Sequence, residues 1–192
     1  MGNVVRLEPL ETHHGQELFN VLGNDDEAWR WMIVPTPRTT EDMLEIIDRY
    51  LKDFRLGTRE PYAVVHIESG RTIGMTSFMD ISRNDRTLEI GSTIYAKEFW
   101  RTPVNTESKL LLLTQAFEVQ NCVRVTLKTD SNNLRSQAAI SRLGAKHEGT
   151  LRSHKMRADG TSRDSMYYSI LSSEWPEVKA TLQSMFGQSV FE

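Results

Sequence analysis

Residues 97–118 read KEFWRTPVNTESKLLLLTQAFE. Leu110, Leu111, Leu112 and Leu113 in a row, with Ala116, Phe117 and Val119 beyond them, leave a helix apolar almost all round. A helix of that kind is buried against a sheet. Its start, the polar turn Arg101–Thr106, then sits at the C-terminal end of the preceding strand, LEIGSTIY. The first backbone N–H groups of a helix have no intrahelical acceptor, and the helix dipole adds positive potential there. The turn is therefore an anion site suited to a phosphate or pyrophosphate, and Arg101 adds a full charge. A plainer reading of the same residues is that Asn105 or Thr106 caps a buried helix.

The rest of the chain supplies the sheet. VVRLEPL alternates and reads as a first strand. ETHHGQELFNVLGND reads as a short helix stopped by Gly23 in the left-handed conformation. WRWMIVPTP is broken by proline and reads as a loop. In TTEDMLEIIDRYLKDF, Met43, Leu44, Ile46, Ile47, Tyr50, Leu51 and Phe54 share one broad helical face, capped by Thr39 or Thr40. PYAVVHI and TIGMTSFMDI form a hairpin through ESGR, and RTLEIGSTIY follows as a further strand. After the leucine-rich helix, over about 105–119, come the strand CVRVTLKT and the helix NNLRSQAAISRLG, with Asn132 or Asn133 to cap it and Gly144 to end it. AKHEGTLRSHKMR and SRDSMYYSIL pair around ADGT, and SEWPEVKATLQSMF closes the chain as a helix. The order βααβββαβαββα places antiparallel strands first and βαβ crossovers after them.

Composition narrows the function classes. A length of 192 residues suits one domain with a full core, here spanning 1–192. The net charge of −3 gives no general attraction to nucleic acid or to an anionic membrane. One cysteine, Cys122, forbids an internal disulfide and fits a reducing compartment. The sequence has no run long enough to span a bilayer and no apolar leader, so the expected location is the cytoplasm. No metal-ligand spacing, P-loop or Gly-x-Ser-x-Gly elbow occurs, which argues against a metal and against a covalent acyl-enzyme. Cys122, without a motif around it, reads as a small buried hydrophobe. His13 and His14 are adjacent and poorly disposed to share a metal.

TDSNNLRSQAAISRLGA repeats the arrangement of a strand, a polar turn and a helix start. Two neighbouring turns of this kind form a crevice at the strands' C-terminal ends, where an extended ligand with a pyrophosphate fits. LEIGSTIYAKEFWRTPVNTESKLLLLTQAFE, VTLKTDSNNLRSQAAISRLGAKHEG and RDSMYYSILSSEW, in this order, resemble the GNAT superfamily, the GCN5-related N-acetyltransferases. The chain looks most similar to the branch that acetylates protein N-termini and related amines, and the resemblance covers nearly all of it. It implies a mixed α/β fold: a twisted, mostly antiparallel sheet of about seven strands with helices on both faces. It also implies acetyl-CoA, or another acyl-CoA, as donor, and a small amine or a peptide N-terminus as acceptor. A homodimer is suggested by analogy alone.

The resemblance carries over residue by residue. The pyrophosphate turn matches Arg101, Thr102, Pro103, Val104, Asn105 and Thr106, and the usual glycine positions hold Arg101, Pro103 and Asn105. Pro103 has no N–H to donate, which leaves the amides of Thr102, Val104, Asn105 and Thr106 with the Arg101 side chain. Asn133 and Ser136 match positions that face the pantetheine and its sulfur. Relatives carry an acidic Tyr four residues after that Ser. Ile140 stands there in this chain, so either Ser136, Tyr167 or Tyr168 protonates the leaving thiolate, or the thiolate leaves unaided. Glu89 matches the base of some relatives; its plainer role is a structural carboxylate paired with Arg86 or a neighbour. Trp29, Trp31 and Met32 match the acceptor side of the cleft; packing of the tryptophans against the first helices is the plainer reading. A binding module, a weakly catalytic CoA sensor of the same fold, is the alternative to an acyltransferase.

Overall fold

The computed structural model describes residues 2–188. Its strands are β1 (Val5–Pro9), β2 (Arg59–His66), β3 (Thr72–Ser82), β4 (Thr87–Tyr95), β5 (Arg124–Asp130), β6 (Lys146–Met156) and β7 (Ser162–Leu171). They form a seven-stranded sheet in the order β1-β2-β3-β4-β5-β7-β6. Only β4 and β5 are parallel; every other neighbouring pair is antiparallel. The helices are α1 (Gly15–Leu22), α2 (Asp26–Trp29), α3 (Thr40–Arg55), α4 (Pro103–Thr114), α5 (Leu134–Arg142) and α6 (Trp175–Gln188). This is the expected mixed α/β architecture; the order of strands and α-helices differs from the expected one only by α2, a short helix over Asp26–Trp29 between the two helices foreseen there.

The leucine-rich segment is buried over Leu112, Leu113, Ala116 and Phe117, while Leu110 and Leu111 are half-buried and Val119 is exposed. Leu112, Leu113, Ala116 and Phe117 pack on Leu88, Ile90, Val125, Leu127 and Ile170 on one face of the sheet, with Leu182 of α6 beside them. α4 begins two residues earlier than expected, because Thr102 rather than Asn105 or Thr106 is the N-cap: its hydroxyl accepts from Val104 N–H at 3.4 Å. Pro103 then occupies the first helical position, where a missing N–H is harmless and its fixed φ is already helical. A π turn over Gln115–Val119 extends the helix.

On the other side, α1 and α3 cover the strands from β2 to β4, and Met43, Ile46 and Ile47 pack with Leu18, Leu22, Ala63, Met75 and Ile94. A capping box starts α3: Thr39 Oγ1 accepts from Asp42 N–H at 3.1 Å, and the Asp42 carboxylate accepts from Thr39 N–H at 3.0 Å. Phe54, at the end of the expected apolar face, is instead 54% exposed. Gly23 does not take the left-handed conformation: its φ is −64°, and Asn24 makes the turn at φ 58°. A Cβ at Gly23 would stand 2.4 Å from the Phe19 ring, so close packing is what favours glycine there. Gly144 ends α5 at φ 88°, as expected.

Candidate active site

β4 and β5 are paired only from Thr87↔Arg124 to Ile90↔Leu127. Past that point β4 bulges: its register with β3 shifts between Met75 and Ser77, and Ser92 takes φ 51°. Gly91–Tyr95 stay with β3, while Lys128–Asp130 stay with β7. The two strands therefore part, and backbone groups along the facing edges become available to a ligand. A cavity of about 700 Å³ occupies the parting and reaches from the α4 N-terminus to β6 and β7.

At one end lies the turn before α4. Arg101 holds φ 64°, the left-handed conformation that usually goes to glycine, so the turn keeps that geometry without one. Across from it, the Arg135 guanidinium lies 3.4 Å from the centre of the Trp100 ring. Burial, then the nearby Arg101 charge, pulls the Arg135 pKa down against the influence of Glu27 and Asp25. Two cations thus converge on the start of α4, and neither makes an ion pair among the described residues. The residues fit a pyrophosphate: a helix N-terminus, two guanidinium groups and a turn that brings backbone close.

Of the residues singled out from the sequence, Glu89, Arg101, Thr102, Asn105, Asn133 and Ser136 line this one cavity. Val104 and Thr106 do not. The Val104 side chain is buried among Val5, Val64, Ile73 and Tyr95, and its N–H is taken by Thr102. Asn133 caps α5, its Oδ1 accepting from Ser136 N–H at 3.0 Å, so the capping role is realised in a residue that also faces the cleft. Tyr168 is directed away, into the core under α4 and α6, by the alternation of β7. Tyr167 is also not part of the lining; its hydroxyl meets His154 Nε2 at 3.4 Å. Trp31 and Met32 line the cavity, whereas Trp29 is buried with its indole N–H donating to Leu22 O at 2.9 Å.

Glu89 is 4% exposed and lies where the strands part. Its partner is not Arg86 but Lys128, whose Nζ is 2.6 Å away and 3.5 Å from Asp80. Burial pushes the Glu89 carboxyl above its ordinary range, against the pull of Lys128 and with the help of Asp80. Such a carboxylate holds a proton more readily than an exposed one, as a general base near neutrality needs to.

Several cavity residues escaped the sequence reading. Lys128, Asp130 and Arg163 come together only through the register of β5 and β7, and Arg135 reaches the other end of the cavity from α5. Lys109 left a visible signal: a lone lysine among leucines on a helix read as apolar. It is 5% exposed, lines the cavity and donates to Thr93 Oγ1 at 2.7 Å. Cys122 is buried and unpaired, as its context implied. Among the described residues no group of three or more His, Cys, Asp or Glu side chains could hold a metal ion. No helix among them is long and apolar enough to cross a membrane.

Comparison with known proteins gives this geometry a family. Residues 5–146 match the Acetyltransferase (GNAT) domain. The "Putative ribosomal N-acetyltransferase YdaF" of Bacillus subtilis (strain 168) is 29% identical over 88% of this chain and 90% of its own. The solved structure of a "putative acetyltransferase" from T. thermophilus is 36% identical, with a TM-score of 0.88 over 96% of this chain and 95% of that one. A GCN5-related N-acetyltransferase from Brucella melitensis is 30% identical, with a TM-score of 0.89 over 96% and 83% of the two chains. A seven-stranded sheet parted between β4 and β5, a family match across most of the chain and neighbours of the same architecture agree: the chain belongs to the GNAT family and is an N-acetyltransferase.

Proposed function

We propose that this enzyme transfers an acetyl group from acetyl-CoA to a primary amine by direct attack on the thioester. The observation that carries the reading is Glu89, buried where β4 and β5 part and lining the cavity that runs to the α4 N-terminus. When bound, acetyl-CoA supplies the thioester. Arg101, Arg135 and the first turn of α4 hold its pyrophosphate, and the free edges of Gly91–Tyr95 and Lys128–Asp130 receive the amide-bearing arm. Glu89 takes the proton from the incoming ammonium, directly or through a water, and the freed amine attacks the carbonyl carbon. Lys128 holds the carboxylate in place and keeps it ionised against the effect of burial. Ser136, in the cavity lining beside the α5 N-terminus, donates a hydrogen bond to the departing sulfur.

The Glu89–Lys128 ion pair also favours a second reading, a CoA-binding module whose carboxylate is structural. Free-thiol release from acetyl-CoA over a panel of amines, with the acetylated product identified by mass, separates the two. Amine-dependent release supports the transferase; CoA binding without turnover across the panel supports the module.

A further inference from the structure

The end of the cavity remote from the α4 N-terminus is built from β5, β6 and β7. Glu89 pairs with Thr126, Lys128 with Tyr167, Asp130 with Ser165, and Lys155 with Arg163. Strand alternation then sets Glu89, Lys128, Asp130, Ser165 and Arg163 on one face of the sheet, opposite the α4 face. Glu89, Lys128, Asp130, His154, Arg163 and Ser165 all line the cavity.

The hydrogen bonds on this floor do not close. Asp130 is occupied: it accepts from Arg157 Nε at 2.7 Å, Arg157 Nη2 at 3.1 Å and Asn132 N–H at 2.9 Å. Arg163 is the second arginine beside this one carboxylate. Its Nε stands 3.9 Å from Asp130 Oδ2, too far for a hydrogen bond, and only its Nη1 is engaged, with Trp31 O at 3.4 Å. Arg163 Nε, Ser165 Oγ and His154 Nδ1 are buried without a partner among the described residues, and Ser165 is 0% exposed. Buried polar groups are rarely left unbonded in a native fold. Two donors and an imidazole nitrogen lining one end of a ligand cavity point to a bound group that accepts hydrogen bonds.

Charge names that group. Asp130 is already held by Arg157, so Arg163 lines this end beside Lys155 with no carboxylate in hydrogen-bond reach among the described residues, and the end is positive. Glu89 and Asp80 against Lys128 leave the neighbouring end negative, and the Glu89 charge reaches Arg163. We propose that the acceptor is a small amine bearing a carboxylate, of amino-acid type, with its amine at Glu89 and its carboxylate held by Arg163 and Ser165. This assignment rests on the transfer reading above. A polyamine would set a second ammonium against Arg163, and a peptide N-terminus would offer a neutral carbonyl where the site presents a surplus cation.

The test uses the intact protein with acetyl-CoA and the protein amino acids, each beside its amide, together with putrescine and a tripeptide amide. Thiol release gives kcat/KM, and thermal shift of the CoA-loaded protein gives acceptor binding independently of turnover. The ratio of acid to amide should be about 10–100 for the preferred acceptor, the usual range for a hydrogen bond to a charged group. In Arg163→Met that ratio should collapse towards one, and Arg163→Lys should recover part of it. Because the ratio is taken within each variant, a general loss of folded protein cancels. Amides, putrescine or the tripeptide matching or outpacing every amino acid would overturn the assignment, as would an unchanged ratio in Arg163→Met. Amino acids that shift the melting temperature in an Arg163-dependent way without thiol release would support the carboxylate site and count against the transfer reading. Turnover of the diamine or tripeptide, with no amino acid bound or acetylated, would do the reverse. No binding and no turnover across the whole set would overturn both.

Discussion

Lys128 brings its ammonium to 2.6 Å from the Glu89 carboxylate at the point where β4 and β5 separate. The pair decides how Glu89 works. Burial alone would leave the carboxyl protonated well above its ordinary range, and Lys128 opposes that shift. Lys128→Met should therefore raise the Glu89 pKa further and move the acid limb of the kcat/KM profile to higher pH. A profile that stays in place would separate Lys128 from the titration of the base.

Glu89→Gln should retain the fold and donor binding while lowering turnover by about 10²–10⁴-fold, the range for lost general acid–base catalysis. The deficit should narrow as pH rises, because more of the amine arrives already neutral. A pH–rate profile corrected for folded fraction that overlays the wild type would remove Glu89 from the reaction. It would leave Glu89 as the structural partner of Lys128.

Arg101 combines two roles that substitution can divide. Its φ of 64° is strained for a residue with a Cβ, and glycine relieves that strain. Arg101→Gly should be more stable than Arg101→Ala by about 1 kcal/mol. Both variants should lose affinity for CoA, more than for a pantetheine without the pyrophosphate. Equal losses for both ligands would show that the guanidinium does not read phosphate.

Asn133 and Ser136 should also part. Asn133→Ala removes the cap of α5 and should lower stability by about 1 kcal/mol. Ser136 donates no side-chain cap, so Ser136→Ala should leave the melting temperature close to wild type. A contact with the departing sulfur strengthens as charge develops, so the same variant should lower kcat more than donor affinity. A kinetically silent Ser136→Ala would leave the serine only a place at the helix start.

These sites differ in how far the sequence foretold them. Local chemistry was readable: the Thr39 cap, the Gly144 stop, the alternating strands and the buried tract at Leu112 and Leu113 all follow from neighbours in the chain. The α4 start was misplaced because Thr102 was read as part of a phosphate turn, when it also serves as the cap that makes Pro103 favourable. Pairings across the sheet were not readable. Which cation meets Glu89 depends on the parallel register of β4 and β5, and Arg163 reaches the cavity only through the pairing of β5 with β7. Glu107 is the extreme case. Its carboxylate accepts from the N–H groups of Asn3, Val4 and Val5 at 2.6–2.7 Å, more than 100 positions away, and nothing in its local sequence marks a buried anchor for β1.

Lys109 offers a test of the cavity's cost to the fold. It is buried on α4 beneath the parted strands, donates to Thr93 Oγ1 and makes no ion pair among the described residues. Burial lowers its pKa from 10.5 to about 7. Below about pH 7 the lysine is charged in both folded and unfolded chains, and the full desolvation penalty falls on the fold. Between about 7 and 10.5 the unfolded chain holds the proton that the folded one has lost, so stability rises with pH. Above that window both forms are neutral and the penalty is gone. Lys109→Met, similar in length and without a charge, should therefore melt higher than wild type at pH 6.5, by a few kcal/mol as an order of magnitude. Thr93 keeps its 2.8 Å bond to Thr76 Oγ1, so the substitution strands no hydroxyl. The gap between variant and wild type should shrink steadily from pH 7 to 10, because other titrating groups cancel in the difference. Unfolding in urea at pH 6.5, 8 and 9.5 measures it. Parallel stability curves would mean that Lys109 keeps its proton in the folded protein, with solvent or a rearranged partner supplying what burial removes.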